Sequence, residues 1–144
     1  PVNLADIMPT VLDIAGINTP EQIEGRNLLS QLDNLDNDRI LYGDCGDEYF
    51  MVLSDNYKYM YTTLGGDELL FNLKEDPEEK NNLVKKEQKK LEKLRNKLIE
   101  HLKEYNPSLV KNGKLISKDA PAGPEDVNKW PGFHSKKVPT DVLH

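Results

Sequence analysis

The amino-acid sequence predicts an α+β fold: a four-stranded antiparallel sheet packed against one long C-terminal helix, with a short N-terminal helix and an extended tail. Three observations carry this. Apolar and aromatic residues alternate between 39 and 73, the pattern of half-buried strands. Turn-forming residues punctuate that stretch at hairpin spacing. Leu91, Leu94, Leu98, Leu102 and Tyr105 then recur at intervals of three and four, the spacing of one helical face.

Residues 6–15 read as a short helix. Asp6 is expected to cap it, because a carboxylate accepts from the free amides of a first turn. Pro9 falls early enough that its missing N–H costs nothing. Ile7, Val11, Ile14 and Ala15 form an apolar stripe, and Gly16 suits the left-handed residue that closes a helix. A helix this short and apolar needs a surface to pack on. Residues 17–38 read as a connecting loop, with one turn of helix around Leu28, Leu29 and Leu32.

Strands are expected at 39–45, 48–54, 57–63 and 68–73. Tyr49, Met51 and Leu53 alternate onto one face, as do Tyr57, Tyr59 and Tyr61 in the next strand. Ser54-Asp55-Asn56 and Leu64-Gly65-Gly66-Asp67 supply the hairpin connections. Asp76-Pro77-Glu78-Glu79 reads as a helix start, with Asp76 capping and Glu79 reaching back. A long amphipathic helix over 84–105 follows, ended by Asn106-Pro107. Residues 107–144 are punctuated by proline and glycine and show little periodicity, yet Trp130, Phe133, Val138, Val142 and Leu143 are apolar enough to dock. No internal repeat is visible.

At 144 residues, 37% hydrophobic and 31% charged, the chain has material for one modest core. A net charge of -6 argues against nucleic-acid binding. No apolar run approaches the roughly 20 residues that span a bilayer. The chain opens on Pro1-Val2 rather than Met, without a basic-then-apolar leader, and reads as beginning in mid-protein. The single cysteine, Cys45, precludes an internal disulfide.

Few side chains suggest chemistry. Cys45 is the one thiol nucleophile, but its setting fits a small strand residue better. Asp44, Asp47 and Glu48 are oxygen donors of the kind hard cations take, yet they fall at a strand turn where acidic residues are common. Asp33, Asp36 and Asp38 lack the glycine and terminal glutamate of a calcium loop. No catalytic residue and no metal ligand is assigned. Six lysines between 85 and 97 read either as a solvated helix face or as a surface for anionic glycans. In Trp130-Pro131-Gly132-Phe133-His134, a turn presents a ring and an imidazole. Either Trp130 and Phe133 pin the tail to the body, or Trp130 and His134 bind substrate. His101 and His144 have no evident partner in the sequence.

Several stretches together resemble the carboxyl-terminal part of a sulfatase of the alkaline-phosphatase superfamily. Asp6-Ile7-Met8-Pro9-Thr10 with Leu12-Asp13-Ile14-Ala15-Gly16 is similar to the helix leading into that family's small domain. Glu24-Gly25-Arg26-Asn27-Leu28-Leu29 resembles the stretch after it, with Asn27 where serine is usual, and Arg39 starts a strand as expected. Lys58-Tyr59 resembles the Lys-Tyr pair of the third strand. Glu68-Leu69-Leu70-Phe71-Asn72-Leu73 resembles the family's Glu-Leu-Tyr-Asp-Leu, with one extra residue and Asn72 for aspartate. Asp76-Pro77, Glu79, Asn82 and Leu83 match the ending Asp-Pro-x-Glu-x-x-Asn-Leu.

The resemblance implies that residues 1–38 lead from a catalytic domain, 39–106 form the small subdomain, and 107–144 are its tail. It implies a parent enzyme, periplasmic or secreted, that hydrolyses sulfate esters with a formylglycine and a calcium ion. Neither group is expected in this chain. The conversion motif Cys-x-Pro-x-Arg is not met by Cys45-Gly46-Asp47-Glu48-Tyr49. The expected partner is the catalytic domain, and an uncovered apolar helix is expected to favour self-association; no nucleic acid or membrane is expected. The alternatives are a stand-alone binding module using the long helix, or the same domain from a phosphodiesterase or phosphonate hydrolase of the superfamily.

Overall fold

The structure, a computed structural model, describes residues 2–32 and 39–119. Four antiparallel strands lie in the order β1-β2-β3-β4: β1 (Leu41–Cys45), β2 (Tyr49–Ser54), β3 (Tyr57–Thr62) and β4 (Glu68–Asn72). The β2–β3 connection is Asp55-Asn56, with φ of 53° and 62°, a two-residue turn whose twist matches the strands it joins. Register puts Tyr42, Val52, Tyr59 and Leu70 in one row across the sheet, with Phe50 opposite Tyr61 beside them.

Helix α2 spans Gln88–Tyr105 and lays Leu91, Leu94, Leu98 and Leu102 on that face; together with Leu109 they form the buried core. A polar lock closes the seam. The Tyr59 hydroxyl donates to Glu68 Oε1 at 2.6 Å, and Arg95 donates to both Glu68 oxygens at 2.6 and 2.7 Å. Burial alone would raise the Glu68 carboxyl's pKa, but the hydrogen bonds from Arg95 and Tyr59 outweigh it and lower the value. Burial and the Glu68 carboxylate together push the Tyr59 hydroxyl far above its ordinary range.

Three expectations change. Tyr105 continues the leucine spacing but is exposed, because it occupies the helix's last residue and stacks outward on His101. The helix begins at Gln88 rather than 84, and Asp76-Pro77 does not start one. The Asp76 carboxylate instead accepts from the backbone N–H groups of Lys80 and Asn81 at 3.1 and 2.7 Å, shaping a loop. Glu79, at φ 56°, accepts from Lys58 rather than reaching back to a cap. Beyond it, Asn82 Oδ1 accepts from Leu70 N–H at 3.1 Å and Leu83 N–H donates to the Leu70 carbonyl at 2.8 Å. Residues 82 and 83 are thus tied to β4, and a turn over 84–86 precedes the helix.

The third change is at the N-terminus. A 3-10 turn over Leu4–Asp6 precedes α1 (Ile7–Ile14), and Asn3, not Asp6, takes the cap. Gly16, at φ 68°, ends α1 as expected; Ile17 N–H donates to Leu12 and Gly16 N–H to Asp13, which satisfies two terminal carbonyls. After α2, Pro107–Leu109 form a 3-10 turn. A small hairpin, β5 (Val110–Lys111) and β6 (Lys114–Leu115), then folds back, and the Tyr61 hydroxyl donates to the Ile116 carbonyl at 2.7 Å.

Replacing Leu94, fully buried at the centre of the seam, by alanine should cost about 2–5 kcal/mol in chemical denaturation. Tyr105→Ala should cost less than about 1 kcal/mol. Comparable losses for the two would contradict this account of the core.

Candidate functional site

The N-terminal segment is fastened by one carboxylate. Asp6 has 0% exposure and Arg39, just ahead of β1, has 8%. Both Arg39 terminal nitrogens donate to Asp6, at 2.6 and 2.7 Å, a two-point match of fork to carboxylate. The backbone N–H groups of Asn3 and Arg26 donate to the same carboxylate at 2.7 and 2.8 Å. Thr10 Oγ1 donates to the Asp6 carbonyl at 2.6 Å and accepts from Leu28 N–H at 2.9 Å. Gly25 lets the 24–28 segment close in: a Cβ there would stand 1.9 Å from the Ala5 carbonyl oxygen. The Arg39 hydrogen bond, opposed by burial, holds the Asp6 carboxyl far below the usual carboxylate range.

What this fastening presents is apolar. Ile7, Met8, Val11 and Ile14 are 54%, 59%, 55% and 70% exposed, with Leu4 and Ile17 exposed beside them. A contiguous apolar face on a rigidly held helix is a surface shaped for a partner.

A cleft lies where β1 meets the end of α2. About 190 Å3 of space is lined by Tyr42, Asp44, Asp47, His101, Tyr105 and Asn106, among others. His101, without an evident partner in the sequence, is held between two rings: its centroid is 3.9 Å from Tyr42 at 8°, and 5.4 Å from Tyr105 at 18°. Burial, with Glu100 and Glu104 nearby, raises the Tyr42 hydroxyl's pKa. Asp44 lines the wall and Asp47 Oδ1 accepts from Asn106 at 3.1 Å. Cys45 is exposed at the end of β1. The cleft offers ring faces and hydrogen-bonding groups, the means of binding. Among the described residues, no group of three or more His, Cys, Asp and Glu could hold a metal ion. Trp130, Phe133, His134 and His144, like Asp33, Asp36 and Asp38, lie outside the described residues.

Residues 2–108 match the family described as N-sulphoglucosamine sulphohydrolase, C-terminal. The chain belongs to this family. It is a carboxyl-terminal sulfatase domain, as the sheet, the long helix and the matched stretch together show. An arylsulfatase of Clostridium perfringens is 31% identical over 124 residues, 80% of this chain and 25% of that protein. The structure of BT4656 in complex with its substrate D-glucosamine-2-N,6-O-disulfate superposes with a TM-score of 0.56 at 25% identity, over 71% of this chain and 24% of that one. BT1596, a 2-O GAG sulfatase, shares the fold with a TM-score of 0.59 at 24% identity, over 78% and 27%. The chain thus spans about a quarter of the length of these relatives.

Asp6→Ala should destabilise the N-terminal segment by about 3–5 kcal/mol, since a buried guanidinium loses its carboxylate. Hydrogen exchange should show the amides of Arg26 and Leu28 losing protection while those of β2 and β3 keep theirs. Because the folded pKa of Asp6 is depressed, its stabilisation is fully present above the ordinary value of 3.8 and fades as pH falls below it. Uniform loss across the sheet would refute the local role.

Proposed function

We propose that this domain is the carboxyl-terminal lobe of an enzyme that hydrolyses sulfate esters on a glycan or an aryl group, and that α1 docks it onto the catalytic part. The observation that carries the reading is the family match over residues 2–108 coinciding with an apolar helix face held rigid but uncovered. Relatives of which this chain covers about a quarter have further length that would cover it. Residues 1–38 then act as the leading helix and linker, 39–106 as the lobe, and 107–144 as a tail directed at substrate.

The chemistry of such an enzyme rests on a formylglycine and a calcium ion. The described residues fit neither. Cys45-Gly46-Asp47-Glu48-Tyr49 has neither the proline nor the arginine of the conversion motif, and the described carboxylates do not gather three to a site. On this reading both groups come from the part that precedes this domain in its relatives. The lobe's work is to bind and to orient. The tail would add Trp130 and His134 to the substrate cleft, a ring for stacking and an imidazole for hydrogen bonding.

The 144-residue chain alone should turn over no chromogenic sulfate ester, and sedimentation should show concentration-dependent pairing of copies through α1, abolished by Val11→Lys. Measurable turnover would sink the assignment of the chemistry elsewhere; a strict monomer at all concentrations would count against α1 as a docking face. In the full-length enzyme, Trp130→Ala and His134→Ala should each lower kcat/KM roughly tenfold. Unchanged values in both would remove the tail from the site.

A further inference from the structure

The first half of α2 and the turn before it carry positive charge that the fold uses only in part. Between 85 and 97 stand Lys85, Lys86, Lys89, Lys90, Lys93, Arg95 and Lys97, against Glu87 and Glu92. Some of these cations have structural partners. Arg95 holds Glu68. Lys90 and Lys93 approach Asp55 at 3.6 and 2.9 Å, and Lys90 sits 4.6 Å from the Tyr57 ring centroid. Glu87 lies near the Tyr57 hydroxyl and raises its pKa. Lys85, Lys86, Lys89 and Lys97 form no ion pair among the described residues, and the first three are exposed.

The spacing makes a ridge. Lys89, Lys93 and Lys97 are four apart, so their stems leave one side of the helix about 6 Å from one another. Lys85 and Lys86 stand in the turn just before the helix start.

This arrangement is unfavourable for the helix by itself. Like charges four apart repel by a few tenths of a kcal/mol per pair. Cations near the first turn oppose the helix dipole; α2 has no acidic residue in its first turn, and Glu87 at its N-cap makes no side-chain cap hydrogen bond. The rest of the chain is acidic enough to make the whole -6, so the lysines do not serve solubility. A row in which Lys85, Lys86, Lys89 and Lys97 form no ion pair among the described residues, with Lys93 shared with Asp55, is complementary to a linear polyanion.

We infer that the Lys85–Lys97 ridge of α2 is a docking surface for a sulfated glycan chain. The choice of a glycan over other polyanions rests on the proposed sulfatase function; the ridge itself does not. Lysine stems spaced along about 12 Å of helix suit repeated sulfates on an extended chain, and Lys, a point charge, accepts them without demanding one geometry. The ridge would hold a polymer while its end is processed.

The test uses the 144-residue chain and heparin as the probe, with single-stranded DNA of matched charge as a second polyanion. The variant Lys86→Gln, Lys89→Gln, Lys97→Gln removes cations that make no ion pair. Heparin affinity at 0.1 M salt should fall about tenfold or more, and the slope of log K against log salt should shrink by about two to three. Tm should stay level or rise, because repulsion within the helix is relieved. Unchanged heparin affinity overturns the inference. So does a drop in affinity accompanied by a lower Tm, which would make the lysines structural. Binding DNA as tightly as heparin would overturn the assignment to glycans. None of these outcomes involves turnover, so a negative result here leaves the sulfatase reading standing, and failure of that reading would show in turnover instead.

Discussion

The seam between α2 and one face of the meander governs this molecule. Leu91, Leu94, Leu98 and Leu102 meet Phe50, Val52, Tyr59, Tyr61 and Leu70 there, with Leu109, Leu83, Val84 and Ile116 packed around them. Because strand side chains alternate faces, a slip of one residue in any register would turn that whole set away from the helix. The Glu68–Arg95 pair, joined by the Tyr59 hydroxyl, fixes the helix along the seam as well as across it. Everything else is placed relative to this frame: the cleft where β1 meets the end of α2, the lysine ridge on the helix's outer side, and the N-terminal segment tied to the residue before β1.

Much of this frame was legible in the sequence because it is written in short-range patterns. The four strands, the leucine spacing, Gly16 and the Asp55-Asn56 turn each depend on residues within a few positions of one another. The Asn112-Gly113 pair was equally readable, since both residues adopt positive φ in the β5–β6 turn, but the proline-punctuated surroundings masked it. Asp76-Pro77 misled for a physical reason. A carboxylate that caps a helix serves a loop as well, and bonds from residues 82 and 83 to Leu70 decided between them. Local pattern cannot show which distant edge will claim a backbone group.

The site was less legible still. Asp6 reads as a cap from its neighbours, and only the folded chain brings Arg39 to it. His101 looks solitary on its helix until β1 sets Tyr42 against it. These are long-range meetings, carried by no spacing. The family resemblance spoke to the domain's origin where the local patterns were silent, because the order of several weak stretches is itself a long-range signal, and the match over residues 2–108 covers that same order.

The Asp6–Arg39 pair has a temporal consequence. Its two halves are 33 positions apart in the chain, and the second belongs to the approach to β1. In a ribosome-bound chain, α1 emerges before the arginine that anchors it. The exposed apolar side of α1 is thus held in its observed pose only once the residue ahead of β1 is in place.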